Sequence, residues 1–133
     1  MTHYIGIDPD LIKSGVAVYR NKSLESLSLM YLWEVFAYIK EHNPIVVLEA
    51  GHTVKKFWHG GAGKGTQAAK NVGANNAIGQ LIEQYCTVNG HKVILVKPQG
   101  YSRIKHEQFV KITGWKTRTN PETRVAALLV WGR

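Results

Sequence analysis

Acidic residues are scarce in this chain. Only two aspartates, Asp8 and Asp10, occur among 133 residues, and all acids together number nine. Any carboxylate site must draw on that short set. A single cysteine, Cys86, excludes a disulfide framework and a cysteine-based zinc site. The six histidines show no metal-ligand spacing. No apolar run approaches the roughly 18–20 residues that span a bilayer, and the opening MTHYIG lacks the charged and apolar regions of a signal peptide. These absences lead us to expect a cytoplasmic protein with no membrane partner. A hydrophobic fraction of 44% excludes a disordered chain. With no repeat and no linker in view, residues 1–133 read as one domain.

Basic residues are abundant. Lysine and arginine total 17, giving a net charge of +8 and a pI near 9.7. Such an excess points first to a polyanionic partner, nucleic acid above all, with membrane surfaces and simple solubility as the other readings.

The hydrophobic pattern predicts an α/β order. Tyr4–Ile7 and the Val-rich Gly15–Tyr19 read as two strands around a turn through Pro9, and Leu24–Tyr31 as a third strand with one wet face. Leu32–His42 places Leu32, Val35, Phe36 and Ile39 at helical spacing before Asn43–Pro44 stops it. The unbroken apolar run Ile45–Ala50 suits a buried parallel strand. A long, basic, Gly-rich loop follows, and then a helix over about Gln67–Val88 with Val72, Ile78, Leu81, Ile82 and Tyr85 as its apolar positions. Lys92–Val96 reads as the fifth strand and Lys105–Thr113 as a short helix. In the last helix, Asn120–Trp131, Asn120 caps and Pro121 takes the first position.

Asp8 closes the first strand and Glu49 the fourth, so the two carboxylates meet if those strands are neighbours. Glu122, at the start of the last helix, is the third acid able to join them. Each acid taken alone reads more readily as a turn or capping carboxylate, and Asp10 belongs to the turn. Glu49 is the exception, because it places a charge at the end of a buried strand. Oxygen-rich clusters hold Mg²⁺, with Mn²⁺ as the alternative ion, and paired ions of this kind hydrolyse phosphodiesters. The segment GGAGKGT lacks the Ser or Thr that a phosphate loop needs after its Lys, because Gly65 follows Lys64. No nucleotide cofactor is expected. Lys55, Lys56, Phe57 and Lys64 instead suit a nucleic-acid-binding loop, whose aromatics either stack on an opened base or pin the loop to the core. Arg103, Lys105 and His106, placed together at a helix start, are further phosphate contacts or a solvated face.

Taken in order, IGIDPDLIKSGVAV, IVVLEA, KNVGANNAIGQLIEQY, KVILVKPQGYSRIKHEQF and TNPETRVAALLV resemble the RuvC-type Holliday junction resolvases of the RNase H-like (retroviral integrase) superfamily, in their short phage-encoded branch. The resemblance implies an RNase H-like fold: a five-stranded mixed sheet, three antiparallel strands then two parallel, flanked by helices. It also implies a Mg²⁺-dependent homodimer that nicks four-way DNA junctions in the cytoplasm of a bacterial host. Asp8, Glu49 and Glu122 would be its catalytic and metal-binding residues. Where that family carries a further acid or histidine three positions after the residue matched by Glu122, this chain has Val125. Two alternatives accompany this reading. One is a nuclease of the same fold acting more broadly on branched DNA or RNA hybrids. The other is a junction-binding protein without cleavage.

Overall fold

The structure is a computed structural model and describes residues 2–54 and 66–133. Three antiparallel strands open the chain: β1 (His3–Asp8), β2 (Ser14–Arg20) and β3 (Ser23–Met30). Helix α1 (Leu32–His42) leads into β4 (Ile45–Glu49), and α2 (Thr66–Val88) into β5 (Val93–Val96). Helices α3 (His106–Thr113) and α4 (Pro121–Val130) close the chain. One mixed sheet results, in the order β3-β2-β1-β4-β5, with β4 parallel to both β1 and β5. The expected α/β class, strand number and pairing are those observed, and the helices fall within two residues of the predicted limits.

Local chemistry explains the boundaries. The α1 helix ends where Asn43 turns left-handed (φ 46°) and its N–H donates to the Ile39 carbonyl, a conformation Asn tolerates better than most residues. The α4 helix starts where Asn120 Oδ1 accepts from the Thr123 N–H at 2.8 Å, with Pro121 at the first position.

The sheet is covered on both faces. Ile5, Ile7, Val16, Val18, Val46 and Leu48 pack against α1 and α2. Ala17, Tyr19 and Val47 pack against α3 and α4 through Phe109, Ala126 and Leu129. Two expected apolar positions of α2 do not join this core: Val72 and Leu81 are exposed. Ile78, Ile82 and Cys86 form the sheet-facing stripe with Tyr85 packed beside them, and Val72 and Leu81 fall off it. Among the described residues, no helix is long and apolar enough to cross a membrane.

Helix α4 lies so close to the sheet that two glycines are obligatory beneath it. A Cβ on Gly6 would collide with the Ala126 backbone, and one on Gly15 with the Glu122 backbone. We therefore expect Gly6→Ala and Gly15→Ala each to destabilise the protein by about 3 kcal/mol or more, read as a lower urea midpoint. An unchanged midpoint would mean that α4 sits further from the sheet. Val125 is only 2% exposed, so Val125→Asp should also unfold the domain by several kcal/mol, roughly.

Candidate active site

Topology brings Asp8 and Glu49 together. Strands β1 and β4 are parallel neighbours in the register Ile7↔Leu48, so the next residues, Asp8 and Glu49, end side by side. Strand alternation gives both the parity of the face that α4 covers. Across β1, Asp8 pairs with Gly15, and it is Gly15 that admits the first turn of α4 with Glu122. The third predicted acid is thus carried to Asp8 from the other side of the chain by one close helix–sheet contact.

Electrostatics report how tight this group is. Burial, reinforced by the negative charges of Glu49, Glu122 and Asp10 and by a hydrogen bond with Glu49, raises the Asp8 carboxyl from about 3.8 to about 8. Burial also raises Glu49, while the hydrogen bond from Asp8 works against that rise. The directions fit one arrangement, in which Asp8 keeps the shared proton and Glu49 accepts it. Asp10 is a turn residue as expected: its Oδ1 accepts from the Ile12 N–H at 3.0 Å, and its own N–H donates to Ser14 Oγ at 3.1 Å.

Asp8 and Glu49 open onto a cavity of about 460 Å³, whose far wall is α2, with Asn75, Asn76 and Gly79. These α2 residues were not singled out in the sequence, nor was His52, which follows Glu49 in a 3₁₀ turn over Gly51–Thr53. Their role is to hold the two carboxylate-bearing turns. Asn75 Oδ1 accepts from the Leu11 N–H at 3.0 Å, and the His52 Nε2 hydrogen-bonds Glu83 at 2.7 Å. His52 Nδ1 faces the bare Cα of Gly79, and the turn is so close that a Cβ on Gly51 would press on Asn76. The sequence signal was faint: two adjacent asparagines and a glycine inside a helix, with a histidine just past an acid.

The remaining predicted residues are dispersed. Lys55, Lys56, Phe57 and Lys64 lie outside the described residues. Lys105 and His106 share the start of α3, and Arg103 stands apart from it. Arg103 ends a separate 3₁₀ turn, Lys105 caps α3, and His106 bonds Thr119 at 2.8 Å. Arg103 and Lys105 remain exposed, and His106 is committed to the fold.

Among the described residues, no three His, Cys, Asp or Glu side chains form a ready-made metal cage. The donor set still fits a hard divalent cation. Two half-buried carboxylates that must share a proton to coexist are relieved when a cation takes the proton's place. Glu122, on the α4 turn that rests on Gly15, is a further carboxylate at this end of the sheet.

The raised carboxyl has a stability signature. Between about pH 4 and 8 the folded, metal-free protein holds a proton on Asp8 that the unfolded chain has lost. Stability therefore falls as pH rises through that window. Asp8→Asn removes the effect. In EDTA the variant should be more stable than wild type at pH 8 by about 2–4 kcal/mol, with the two converging near pH 4. Urea unfolding at both pH values checks this, and parallel curves would contradict it.

No family model and no curated protein sequence matches the chain. Solved structures do. The chain is similar to Thermus thermophilus RuvC in complex with a Holliday junction substrate, with a TM-score of 0.59 and 16% identity over 98% of this chain and 90% of that one. It is equally similar to a second Thermus thermophilus RuvC structure, with a TM-score of 0.59 and 15% identity over 98% and 92%. The chain has the RuvC-type fold, with Asp8, Glu49 and Glu122 gathered at one end of its sheet.

Proposed function

We propose that this protein is a homodimeric endonuclease that nicks four-way DNA junctions, using Mg²⁺ or, alternatively, Mn²⁺. The observation that carries the reading is the strand register that ends Asp8 and Glu49 side by side, with Glu122 on the α4 turn that rests on Gly15, in a RuvC-type fold. A structural neighbour in complex with a junction substrate supports branched DNA as the ligand.

Asp8 and Glu49 would hold the first cation, and Glu122 a second. When bound, the ions supply Lewis-acid polarisation of the phosphate and neutralise charge that builds on its oxygens. The chain's own residues do the rest. Asp8 gives up its shared proton so that both carboxylates are free to ligate. Asn75 and the His52–Glu83 pair keep the two turns from drifting apart, and the α2 wall leaves a cavity at the carboxylates for a phosphodiester strand. Exposed Arg103 and Lys105, together with Lys55, Lys56 and Lys64, would contact the DNA backbone, and Phe57 would stack on an opened base.

Dimerisation follows from the substrate, because a four-way junction must be cut at two symmetry-related strands. Leu81 and Val88, seven residues apart on one side of α2, are 46% and 83% exposed, which suits a helix that packs on its twin. Work on chromosomal or phage DNA places the protein in the cytoplasm, that of a bacterial host if the chain is phage-encoded. Buried, apolar Val125 favours the second reading, a junction-binding protein that does not cut.

A synthetic mobile junction separates the two. Wild type should nick it in paired positions in Mg²⁺ and not in EDTA. Asp8→Asn should lose nicking while its junction affinity stays within about threefold, since the carboxylate serves cleavage rather than phosphate contact. Retention of uncut junctions in Mg²⁺ by wild type would establish the binding protein instead. Full nicking by Asp8→Asn would place the active site elsewhere.

A further inference from the structure

The carboxylate edge continues past β2 into a layered aromatic column. Extending the β2–β3 register one pair beyond Ser14↔Met30 puts Lys13 opposite Tyr31, and Lys13 Nζ lies 4.6 Å from the centroid of the Tyr31 ring. Trp33, the second residue of α1, stacks on Tyr31 with centroids 4.4 Å apart and planes 8° from parallel. Lys13 shares the strand parity of Gly15, the glycine beneath Glu122. The column therefore lies at the same end of the sheet as Asp8 and Glu49. Strand β3 is two strand spacings, about 10 Å, from the strand that bears Asp8.

The fold does not need this column. The buried residues of α1 are Val35 and Ile39, and Trp33 falls off that stripe with 66% of its surface exposed. Yet the rings are ordered. The Tyr31 N–H donates to Glu34 Oε1 at 3.0 Å, which fixes the start of α1, and the cation over Tyr31 holds one ring while the other stacks on it. A solvent-facing indole stacked on a second ring at the carboxylate end of the sheet is an offered surface rather than a packing element.

We propose that the Tyr31–Trp33 stack is a platform for a nucleobase left unpaired at the branch point of the bound junction. This rests on the reading of the carboxylate edge as a DNA-cleaving site. Parallel stacking is the geometry in which a base meets an aromatic side chain, and it tolerates any base because every base has a π-face. The 10 Å offset corresponds to about three base steps of 3.4 Å, so the column meets the nucleotides flanking the scissile phosphate. Lys13 and the net charge of +8 favour a polyanion over an acidic protein surface. The competing occupant is a second copy of the chain, for which exposed Leu11 and Ile12 in the β1–β2 turn would add apolar area.

The test uses the full chain carrying Asp8→Asn, in EDTA, so that binding is read without cleavage. Trp33→Ala and Trp33→Phe are added to that parent. Probes are a labelled four-way junction with 2-aminopurine at the branch point and a duplex of equal length. Trp33→Ala should weaken junction affinity about tenfold and relieve quenching of the branch-point base, while Trp33→Phe stays within about threefold. Duplex affinity and sedimentation coefficient should not change in either. An unaltered junction affinity in Trp33→Ala overturns the platform and leaves the cleavage reading standing. Equal losses on junction and duplex, or a shift to a smaller species, overturn it in favour of a general effect or a copy-to-copy contact. A parent that binds no DNA removes the platform and the cleavage reading together.

Discussion

One juxtaposition organises this molecule: Asp8 and Glu49 end neighbouring parallel strands side by side. Two acids so placed, half withdrawn from water, oppose folding unless a proton or a cation lies between them. The protein accepts the cost by design of its topology. Inserting β4 beside β1 in parallel, with Ile7 against Leu48, forces the next residue of each strand into its neighbour. Gly15 then brings Glu122 to the pair, and α2 fastens the two turns through Asn75, Asn76 and the His52–Glu83 bond. The site is thus held by backbone register and helix contact rather than by a dense mesh of side chains.

The same economy accounts for 15–16% identity over 98% of the chain. What this fold requires is a binary pattern and two glycines under α4. Core positions such as Val16, Val46 and Ile82 accept any apolar side chain of similar volume, so sequence drifts while the fold persists.

The parts visible in the sequence are those with a periodic or positional signature. Strands Tyr4–Ile7 and Ile45–Ala50 announce themselves by short apolar stretches, α1 by its stripe, and α4 by Asn120–Pro121. Asp8 and Glu49 stand out because each ends such a run. What was hidden depends on contacts between distant segments. Asn75 and Asn76 look like ordinary polar helix residues until the β1–β2 turn is docked on them. Val72 and Leu81 match the periodicity of a core and yet face solvent, because α2 turns Ile78, Ile82 and Cys86 to the sheet. Trp33 did carry a signal, since it lies off the apolar stripe of α1, but only the register of β2 and β3 shows that it lies at the carboxylate end of the sheet.

The central claim, a proton shared between two active-site carboxylates and displaced by metal, can be read directly. The chain has only two aspartates, Asp8 and Asp10, so labelling aspartate at the side-chain carboxyl carbon yields two resonances. In metal-free protein, one of them should titrate near pH 8. On addition of Mg²⁺ that titration should vanish from the range, as the cation takes the place of the proton. If neither resonance titrates above about pH 5, the two acids are not paired, and the proposed cation site loses its physical basis.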